Sequence, residues 1–406
     1  MNNRIVINLI ASIFVWATLY SCSEEPVGQT PTDSTPPGKI TNPTVENLPG
    51  GARISYTLPP DDDLLYVKAV YYINGVEKSA TATLYNHSVE VMGYGSTNEQ
   101  TVRLYCVDRS ENYSEPVEVK IQPTTPPVML IQESMTMNAG FGGVQILWEN
   151  KYKVDVVIYL IAADSIGDLT VVDEVYTSAV EGKFNLRGFD DTERLFGAFV
   201  RDRWDNYSDT LMGKFKPYYE MKLDKSLFRR QTLLGDNTYI LNDGWAFELM
   251  WNDDIYSGYH QSANFDIRPN YFTIDLGVTA KLGRYTLWPR IGDSFEWVYA
   301  HYNPKKWKVW GAASLSSSNQ VEYWIDGGFK DDWFLLADCY MFKPSGENNP
   351  VTQEDRDYSV AGFEFDIPLD APPVRYIRFE LEETWSGANV FHIMEVTFWG
   401  ELVVEE

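Results

Sequence analysis

Short runs in which apolar and polar residues alternate recur along most of this chain. Four of them are Ala52–Leu58, Tyr66–Ile73, Val144–Trp148 and Val154–Ile161, and clusters of Pro, Gly, Asn and Asp separate them. A two-residue period bounded by turn-forming residues is typical of half-buried β-strands. We find no stretch of useful length with the 3.6-residue period of a helix. The pattern therefore predicts an all-β chain.

Beyond residue 218 the loops become longer and richer in Trp, Tyr and Gly. Alternation within Tyr271–Gly277 places Phe272, Ile274 and Leu276 on one face of a predicted strand. Further strands are predicted at Leu282–Arg290, Trp307–Gly311, Arg375–Leu381 and Met394–Gly400. Antiparallel strands spread over ~180 residues fit a single sandwich or jelly roll.

The first half of the chain repeats itself. Thr35-Pro-Pro recurs at Thr125, an offset of 125 − 35 = 90, and the Asp-Arg-x-x-Asn-Tyr-Ser element of Asp108 recurs at Asp202, an offset of 202 − 108 = 94. Between these markers a Gly-Gly pair recurs at an offset of 142 − 50 = 92. Constant spacing of ordered markers indicates two copies of a domain of immunoglobulin size. Because the Asp-Arg element occurs in both copies, we interpret it as a structural turn in which Asp pairs with Arg and Tyr closes the core edge.

The N-terminus has the pattern of an export signal. An apolar run from Ile5 to Leu19 follows Arg4 and is too short for a comfortable membrane span. It ends at Leu-Tyr-Ser-Cys22, which resembles a bacterial lipobox, so residues 1–21 are predicted to be a signal peptide and residues 22–37 a tether beginning at lipidated Cys22. Ser-Glu-Glu after Cys22 resembles the export signal of Bacteroidetes surface lipoproteins. The alternatives are an ordinary secretory signal and a merely solvated linker.

Charge and composition exclude some partners. The net charge of −25 and the pI near 4.5 argue against nucleic acid or an anionic membrane surface, which require a basic face. Only Cys106 and Cys339 follow Cys22, far apart in sequence, and we expect both to be buried free thiols. An aromatic content of 15% suits either sandwich cores or platforms on which sugar rings stack, and composition does not separate the two.

Catalytic motifs are missing from the sequence. It contains no Gly-x-Ser-x-Gly elbow, phosphate loop, His-Glu-x-x-His or paired-Cys metal pattern. The four histidines, His87, His260, His301 and His392, are scattered, and acidic pairs are too common in this chain to nominate two as a glycosidase acid and base. We therefore predict that the protein is not an enzyme.

Several motifs in the last region arrive in a recognisable order. The segments YFTIDLG, RYTLWPR, WKVWGAAS, DDWFLLAD and VRYIRFELEETWSGAN, followed by MEVTFWGEL, resemble the discoidin, or coagulation-factor type C, fold, whose sugar-binding branch is the family 32 carbohydrate-binding modules. The two repeats resemble fibronectin type III modules. The expected fold is all-β, with immunoglobulin or fibronectin III-like β-sandwiches at 38–123 and 124–217 and a discoidin-like jelly-roll β-sandwich at 218–406.

The whole chain is similar to three-domain lipoproteins from glycan-utilisation loci of gut Bacteroidetes. Members of that family capture extracellular glycan at the outer membrane, beside an importer. The resemblance implies a non-catalytic, surface-exposed lipoprotein whose partners are a glycan, the lipid anchor and the importer. Two alternatives stay open, a scaffold that docks onto the importer or an enzyme, and a glycosidase with two facing carboxylates.

Discoidin-like domains bind their ligand in loops at one end of the barrel. The resemblance places two aromatic-rich segments there, one between the second and third predicted strands and one after Leu381. A pyranose has a mostly C–H face that suits an aromatic ring, while its hydroxyl edge needs directional hydrogen bonds. The implied carbohydrate-binding residues are Trp297, His301, Trp385, Asn389 and Arg290.

The same resemblance implies a structural Ca²⁺. Asp243 matches the Asp of an early Asp-Gly loop, and Glu395 matches a Glu before the last strand, and carboxylates are ligands that Ca²⁺ prefers. The match is imperfect, because Trp245 stands where the family has Asn. Calcium binding therefore stays open against the alternative of no ion.

Overall fold

A computed structural model describes residues 33–261, 270–292 and 294–403. The fold is all β, with two immunoglobulin or fibronectin III-like sandwiches followed by a discoidin-like β-sandwich, which confirms the predicted class. The predicted signal peptide and Cys22 lie outside the described residues. Within the described ranges, no helix combines the length and the apolar character needed to cross a membrane.

The first module consists of seven strands in two sheets. One sheet has the order β1-β2-β5 and the other the order β4-β3-β6-β7. Inward-facing Ile54, Val67 and Leu104 are fully buried between the sheets, as the two-residue alternation predicts. The strands are β1 (Thr41–Leu48), β2 (Gly51–Thr57), β3 (Leu64–Ile73), β4 (Val76–Thr83), β5 (Ser88–Met92), β6 (Gln100–Asp108) and β7 (Val117–Ile121).

The second module repeats this arrangement. Its sheets have the orders β8-β9-β12 and β11-β10-β13-β14, which match those of the first module strand for strand. Cys106 of the first module and Cys339 of the third are buried free thiols, as expected. The strands of the second module are β8 (Thr136–Gly140), β9 (Gly143–Glu149), β10 (Val156–Ala163), β11 (Leu169–Thr177), β12 (Glu181–Leu186), β13 (Arg194–Asp202) and β14 (Leu211–Phe215).

A short helix that the sequence pattern did not predict opens the second module. Helix α1 (Pro127–Ser134) has Pro at its first turn, where a missing N–H is tolerated, and buries Val128 and Ile131 in the module's core. Two turns offer too few apolar positions for the helical period to be detected, which is why the prediction missed it.

The repeated Asp-Arg element is a turn, as predicted, but its contacts differ from the prediction. Asp108 Oδ1 accepts the backbone N–H groups of Ser110 and Asn112 at 2.7 and 2.9 Å, and Asp202 does the same in the second copy. The aspartate carboxylate therefore binds backbone N–H groups of the turn, and not the side chain of the neighbouring arginine as predicted. Tyr113 and Tyr207 remain 41% and 53% exposed, so neither closes the core edge.

The third module is built on one nine-stranded sheet that curls around its core. The main path has the order β15-β23-β18-β22-β19-β20, and β16, β17 and β21 pair at its margins. Helices α2 (Val321–Ile325) and α3 (Gln353–Ala361) lie in the connections. The strands are β15 (Met221–Lys222), β16 (Arg229–Gln231), β17 (Tyr259–His260), β18 (Asn270–Pro289), β19 (Pro304–Ala312), β20 (Phe334–Tyr340), β21 (Phe363–Asp366), β22 (Val374–Thr384) and β23 (His392–Leu402).

Two of the predicted strands are one continuous strand. β18 runs through Gly277, whose φ of +73° and the register shift that follows bend the strand. Its first half pairs with β22 and its second half with β23. Because the strand turns back on itself, both of its ends, Asn270 and Pro289, lie at the same end of the barrel.

Direct contacts join the three modules. Asn206 of the second module donates to the Gly93 carbonyl of the first at 2.9 Å, and the Trp204 indole lies against Gly93. At the other junction, Arg187 pairs with Glu220 and Asp366 of the third module at 2.8 and 2.7 Å. The modules therefore form a connected stack rather than beads on free linkers.

Candidate functional site

Several strand ends of the third module meet at one end of its barrel. β17, β22 and the second half of β18 end there, and β19 and β23 begin there. The pairs Pro304–Thr384 and His260–His392 mark this end. Loops that leave strand ends on a rigid sheet are where binding residues are usually found. The predicted carbohydrate-binding residues all lie in or next to these loops.

Arg290, Trp297 and His301 lie together. The guanidinium carbon of Arg290 is 3.7 Å from the centroid of the Trp297 ring, which is a close cation–π contact. On the same indole, His301 lies 4.5 Å away between ring centroids with an interplanar angle of 31°. His301 is exposed, while Arg290 and Trp297 are half-buried.

Three further rings, which the sequence did not nominate for binding, continue this group. Trp245 stacks on His260, and His260 stacks on His392, each at 3.9 Å between centroids and 6° between planes. Arg290 also lies 5.9 Å from the Trp245 ring. We call these six residues the ring cluster: Trp245, His260, Arg290, Trp297, His301 and His392. Trp245 stands where the calcium-binding loop of the discoidin family has Asn. That departure was the one signal in the sequence that pointed to a place in the ring cluster.

Buried amide and guanidinium groups hold the loops of the ring cluster in place. Asn303 binds the backbone N–H and C=O of Arg290 at 2.9 Å each and the Trp297 carbonyl at 2.8 Å. Arg356 of α3 donates to the carbonyls of Ile291 and Gly292 at 3.1 and 2.9 Å. Because these contacts involve backbone atoms, they fix the loop without using the side chains of the ring cluster.

The loop also has a strained backbone. Tyr299 and His301 both have φ of +50°, a region that non-glycine residues rarely occupy. Such strain costs on the order of 1–3 kcal/mol per residue and is concentrated at functional sites. At Gly292, with φ of +48°, a Cβ atom would come within 2.5 Å of the Trp297 ring. Glycine there lets the backbone pass directly behind the indole.

Trp385 and Asn389 lie beside the ring cluster rather than in it. Trp385 packs edge-to-face on Tyr299 at 5.1 Å between ring centroids and is partly buried against the core. Its backbone N–H donates to the Asn303 carbonyl at 3.1 Å, so Asn303 connects both loops. The Asn389 carbonyl accepts from Asn270 Nδ2 at 2.8 Å. Both residues occupy the predicted end of the barrel, where Trp385 contributes to the loop support.

Burial keeps the stacked histidines neutral. His260 and His392 are only 1% and 2% exposed, and no ring nitrogen of either has a hydrogen-bond partner among the described residues. Burial and, to a smaller extent, the charge of Arg290 lower the pKa of His260 to about 3, while burial, the adjacent His260 and Arg290 lower the pKa of His392 to about 2. The pair is therefore uncharged at neutral pH, and its ring nitrogens lie buried beneath Trp245 and Arg290.

Glu395, one of the two predicted calcium ligands, already has a cation. Its buried carboxylate accepts from Lys225 Nζ at 2.5 Å and from the Asp253 backbone N–H at 2.8 Å. Burial raises the pKa of Glu395 to about 7, and the Lys225 ammonium opposes this shift. An ammonium in direct contact does not fit a calcium ion at the same oxygens.

The second predicted ligand, Asp243, lies in an exposed 3-10 turn, Asp243–Trp245, capped by Asn242. Within the described ranges, the one set of three acidic, His or Cys ligands close enough to share an ion is Asp33, Asp63 and Asp108 in the first module. Calcium at Asp243 and Glu395 stays a prediction, and the contacts of Glu395 argue against it.

The ring cluster combines flat apolar ring faces and one cation with the exposed ring of His301. Sequence reasoning missed His260 and His392 because their pairing across β17 and β23 depends on strand register. Asn303 was missed because a buried amide leaves no periodic signal.

Comparisons with known families match all three modules. Three family models, each described as a domain of unknown function, match residues 37–123, 124–226 and 241–400. No curated protein matches the chain. The C-terminal domain of a chitobiase from Bacteroides fragilis is 15% identical over 45% of this chain and 100% of that domain, with a TM-score of 0.31. A two-domain fibronectin type III segment of chicken tenascin is 13% identical over 44% of this chain and 99% of the segment, with a TM-score of 0.23.

One solved structure is considerably more similar in sequence. A SusE-like protein is 33% identical to this chain, and the match covers 68% of this chain and 100% of that protein, with a TM-score of 0.44. Identity of this level over the whole of a relative indicates common descent rather than a shared fold alone. This chain therefore belongs to the SusE-like proteins.

Proposed function

We propose that this protein is a non-catalytic, surface-exposed lipoprotein of the outer membrane that captures an extracellular glycan for an uptake system. Membership of the SusE-like proteins supports this role, as does the resemblance of the chain to lipoproteins of glycan-utilisation loci. The glycan binds at the ring cluster, and the two sandwiches before it hold that site away from the membrane.

The observation that supports glycan binding most strongly is the contact of Arg290 and His301 with Trp297. An indole face binds the C–H face of a pyranose, and donors beside it bind the hydroxyl edge. Here the ring and the donors are in contact at 3.7 and 4.5 Å, in a loop fixed by Asn303 and Arg356. A fixed loop lowers the entropy lost on binding.

The proposed role involves no turnover. The residues of the ring cluster are aromatic, histidine and arginine side chains, and the two histidines with low pKa values are stacked and buried rather than placed beside a nucleophile. A glycosidase would instead need two carboxylates facing each other across a cleft. We therefore expect bound oligosaccharide to be recovered uncleaved.

Binding to a glycan array, followed by calorimetric titration of the best ligand, tests the proposal. In the full mature chain we expect Trp297→Ala to weaken binding roughly 5- to 30-fold, because the loss of the stacking face costs on the order of 1–2 kcal/mol. Phe295→Ala is the matched control, since Phe295 is 45% exposed on the same 3-10 turn and is not one of the six residues of the ring cluster. A folded Trp297→Ala variant that binds like the parent would remove this site.

The proposed location is tested through Cys22. Replacement by Ser removes the thiol that receives the acyl chains, so we expect the protein to lose labelled palmitate and to be released from the membrane fraction. Protection of the parent from protease added to intact cells would contradict surface exposure.

One observation favours a second role as an assembly scaffold. β11, an edge strand of the second module, exposes Leu169, Val171, Val172 and Tyr176 to between 40% and 68%. An edge strand with exposed apolar side chains is a typical protein-binding surface. Co-purification with the importer that is lost in a Val171→Lys variant, without a change in glycan affinity, would assign this strand to assembly.

A further inference from the structure

Arg290 is a partly desolvated cation that has no counter-ion among the described residues. Its backbone N–H and C=O bind Asn303, and its guanidinium lies on the Trp297 ring. Within the described ranges, no carboxylate oxygen lies within 4.0 Å of the guanidinium nitrogens, and no side chain accepts a hydrogen bond from them. Burial lowers the pKa of Arg290, and no carboxylate opposes this shift. A cation in such surroundings is costly unless it gains a partner.

Other arginines of the third module have partners, which are carboxylates for Arg375 and Arg284 and backbone carbonyls for Arg229 and Arg356. Arg375 forms a bidentate pair with Asp275 at 2.8 and 2.9 Å, and Arg284 pairs with Glu220 at 3.1 Å. The chain has 58 acidic residues against 33 basic ones, so carboxylates are abundant. The rings that the Arg290 guanidinium contacts are nonetheless those of Trp245 and Trp297. The protein itself therefore supplies no negative charge to this guanidinium among the described residues.

The geometry leaves the hydrogen-bonding groups of Arg290 available. A guanidinium stacked on an indole uses its face, while its N–H donors lie in its plane and remain able to bind a planar anion in two-pronged fashion. His260 and His392 lie in the same cluster, but their ring nitrogens are buried. Because burial keeps both histidines neutral, they neither repel an anion nor replace Arg290 as the charge that binds it.

We propose that Arg290 is the specificity-determining residue of the ring cluster, and that the ligand is an anionic saccharide bearing a carboxylate or a sulfate. Trp297 contacts the sugar ring while Arg290 forms charge-assisted hydrogen bonds with the anionic substituent. This inference rests on the proposed function, because it names the class of glycan that the same site binds. It predicts that a strongly acidic protein prefers an acidic ligand through one local cation.

Matched ligand pairs test the inference on the full mature chain. Oligogalacturonate is compared with its carboxyl-reduced, neutral form, and chondroitin sulfate oligosaccharides with desulfated ones, within an array that also contains neutral glucans and galactans. We expect an anionic glycan to bind best, its affinity to fall with added salt, and Arg290→Gln to weaken it roughly 10- to 100-fold, as expected for loss of a charged hydrogen-bonding pair. The first pair detects carboxylate recognition and the second sulfate recognition.

Arg109→Gln serves as the control, because it removes the same charge from an exposed position in the first module. A neutral glycan that binds best, with unchanged affinity in Arg290→Gln, overturns the inference and leaves glycan capture intact. An anionic ligand that binds Arg290→Gln as tightly as the parent also overturns the role of Arg290. If no glycan binds the parent at any salt concentration, both the inference and the proposed function are wrong.

Discussion

At the scale of single residues, the stacked His260–His392 pair shows how burial and chemistry combine in this site. Each ring is almost fully buried, and the two planes are 6° apart at 3.9 Å. Protonation of both would place two charges face to face beside Arg290, so the fold requires both to be neutral. The neutral pair supports Trp245, whose ring stacks on His260.

The pair predicts an acid-sensitive third module. The unfolded chain binds protons at these histidines below a pH of about 6.5, whereas the folded chain does so only near pH 3 and below. The free energy of unfolding therefore falls as pH falls through this window, by up to about 1.4 kcal/mol per pH unit for each histidine. Glu395 acts in the opposite direction, because its raised pKa favours the folded state at low pH.

Calorimetry of the parent and of the double variant His260→Phe, His392→Phe isolates the contribution of the pair. Phenylalanine preserves stacked rings but does not titrate, so the variant should lose less stability than the parent between about pH 6.5 and about pH 4.5. Glu395 is unchanged in both proteins and cancels in the difference. Parallel stability curves would show that the histidines are not buried as described.

At the scale of elements, helix α3 controls the binding loop through Arg356. This side chain donates to the carbonyls of Ile291, Gly292 and Ser294, the segment that leads into Trp297. Arg356→Ala should weaken glycan binding several-fold and speed amide hydrogen exchange in residues 290–297, because the loop loses three hydrogen bonds of about 1 kcal/mol each. Arg229→Ala is the control, since Arg229 also binds carbonyls, those of Ser226 and Phe228, far from this loop. Equal exchange in both variants would contradict the role of α3.

Lys225, in the first 3-10 turn of the third module, forms an ion pair with Glu395 of β23. This pair leads to a prediction about calcium. Chelator should leave the thermal transition of the third module unchanged, because Lys225 already neutralises Glu395.

Lys225→Met should lower the free energy of unfolding by about 3–5 kcal/mol if it leaves the buried carboxylate uncompensated, and by less if Glu395 takes up a proton. Lys222→Met, at an exposed lysine that pairs with Asp253, is the control. A transition that rises with added Ca²⁺ would restore the metal site.

Elements were predicted well where periodicity alone determines them. The alternation of Phe272, Ile274 and Leu276 placed all three correctly in the core. Helix α1 and the continuity of β18 were missed because a two-turn helix has no measurable period, and because a bend at glycine resembles a turn in sequence. For the site, the sequence assigned Arg290, Trp297 and His301 to one end of the barrel, and the structure brings these three side chains into contact; their binding of glycan stays a prediction. The sequence could not reveal the His260–His392 stack, which depends on strand register.

At the scale of the whole molecule, the junction of the first two modules determines how rigidly the binding site is held. Trp204 packs against the core of the first module, and Asn206 binds the Gly93 carbonyl. In the first copy the equivalent positions are Ser110 and Asn112. Both contact Asp33, which precedes the first strand of that module. The repeated turn thus contacts whatever precedes its own module.

Trp204→Ala should loosen this junction. The loss of a large aromatic contact costs on the order of 3 kcal/mol, which is enough to uncouple modules that meet through a small interface. Small-angle X-ray scattering should then show a broader distribution of particle lengths, and protease should cut the connection between β7 and α1 faster. Tyr207→Ala, at an exposed tyrosine of the same turn, should change neither measurement. An unchanged profile for Trp204→Ala would mean that the backbone contacts alone fix the junction.

The central claim, that the ring cluster captures glycan, is tested most directly by the indole N–H signals of the tryptophans in NMR spectra of the mature chain. Titration of the parent with its best array ligand should shift the signals of Trp245 and Trp297, assigned through the single Phe variants, and leave those of Trp148 and Trp204 in the second module unchanged. Shifts confined to the second module, or none at saturating ligand, would contradict the claim.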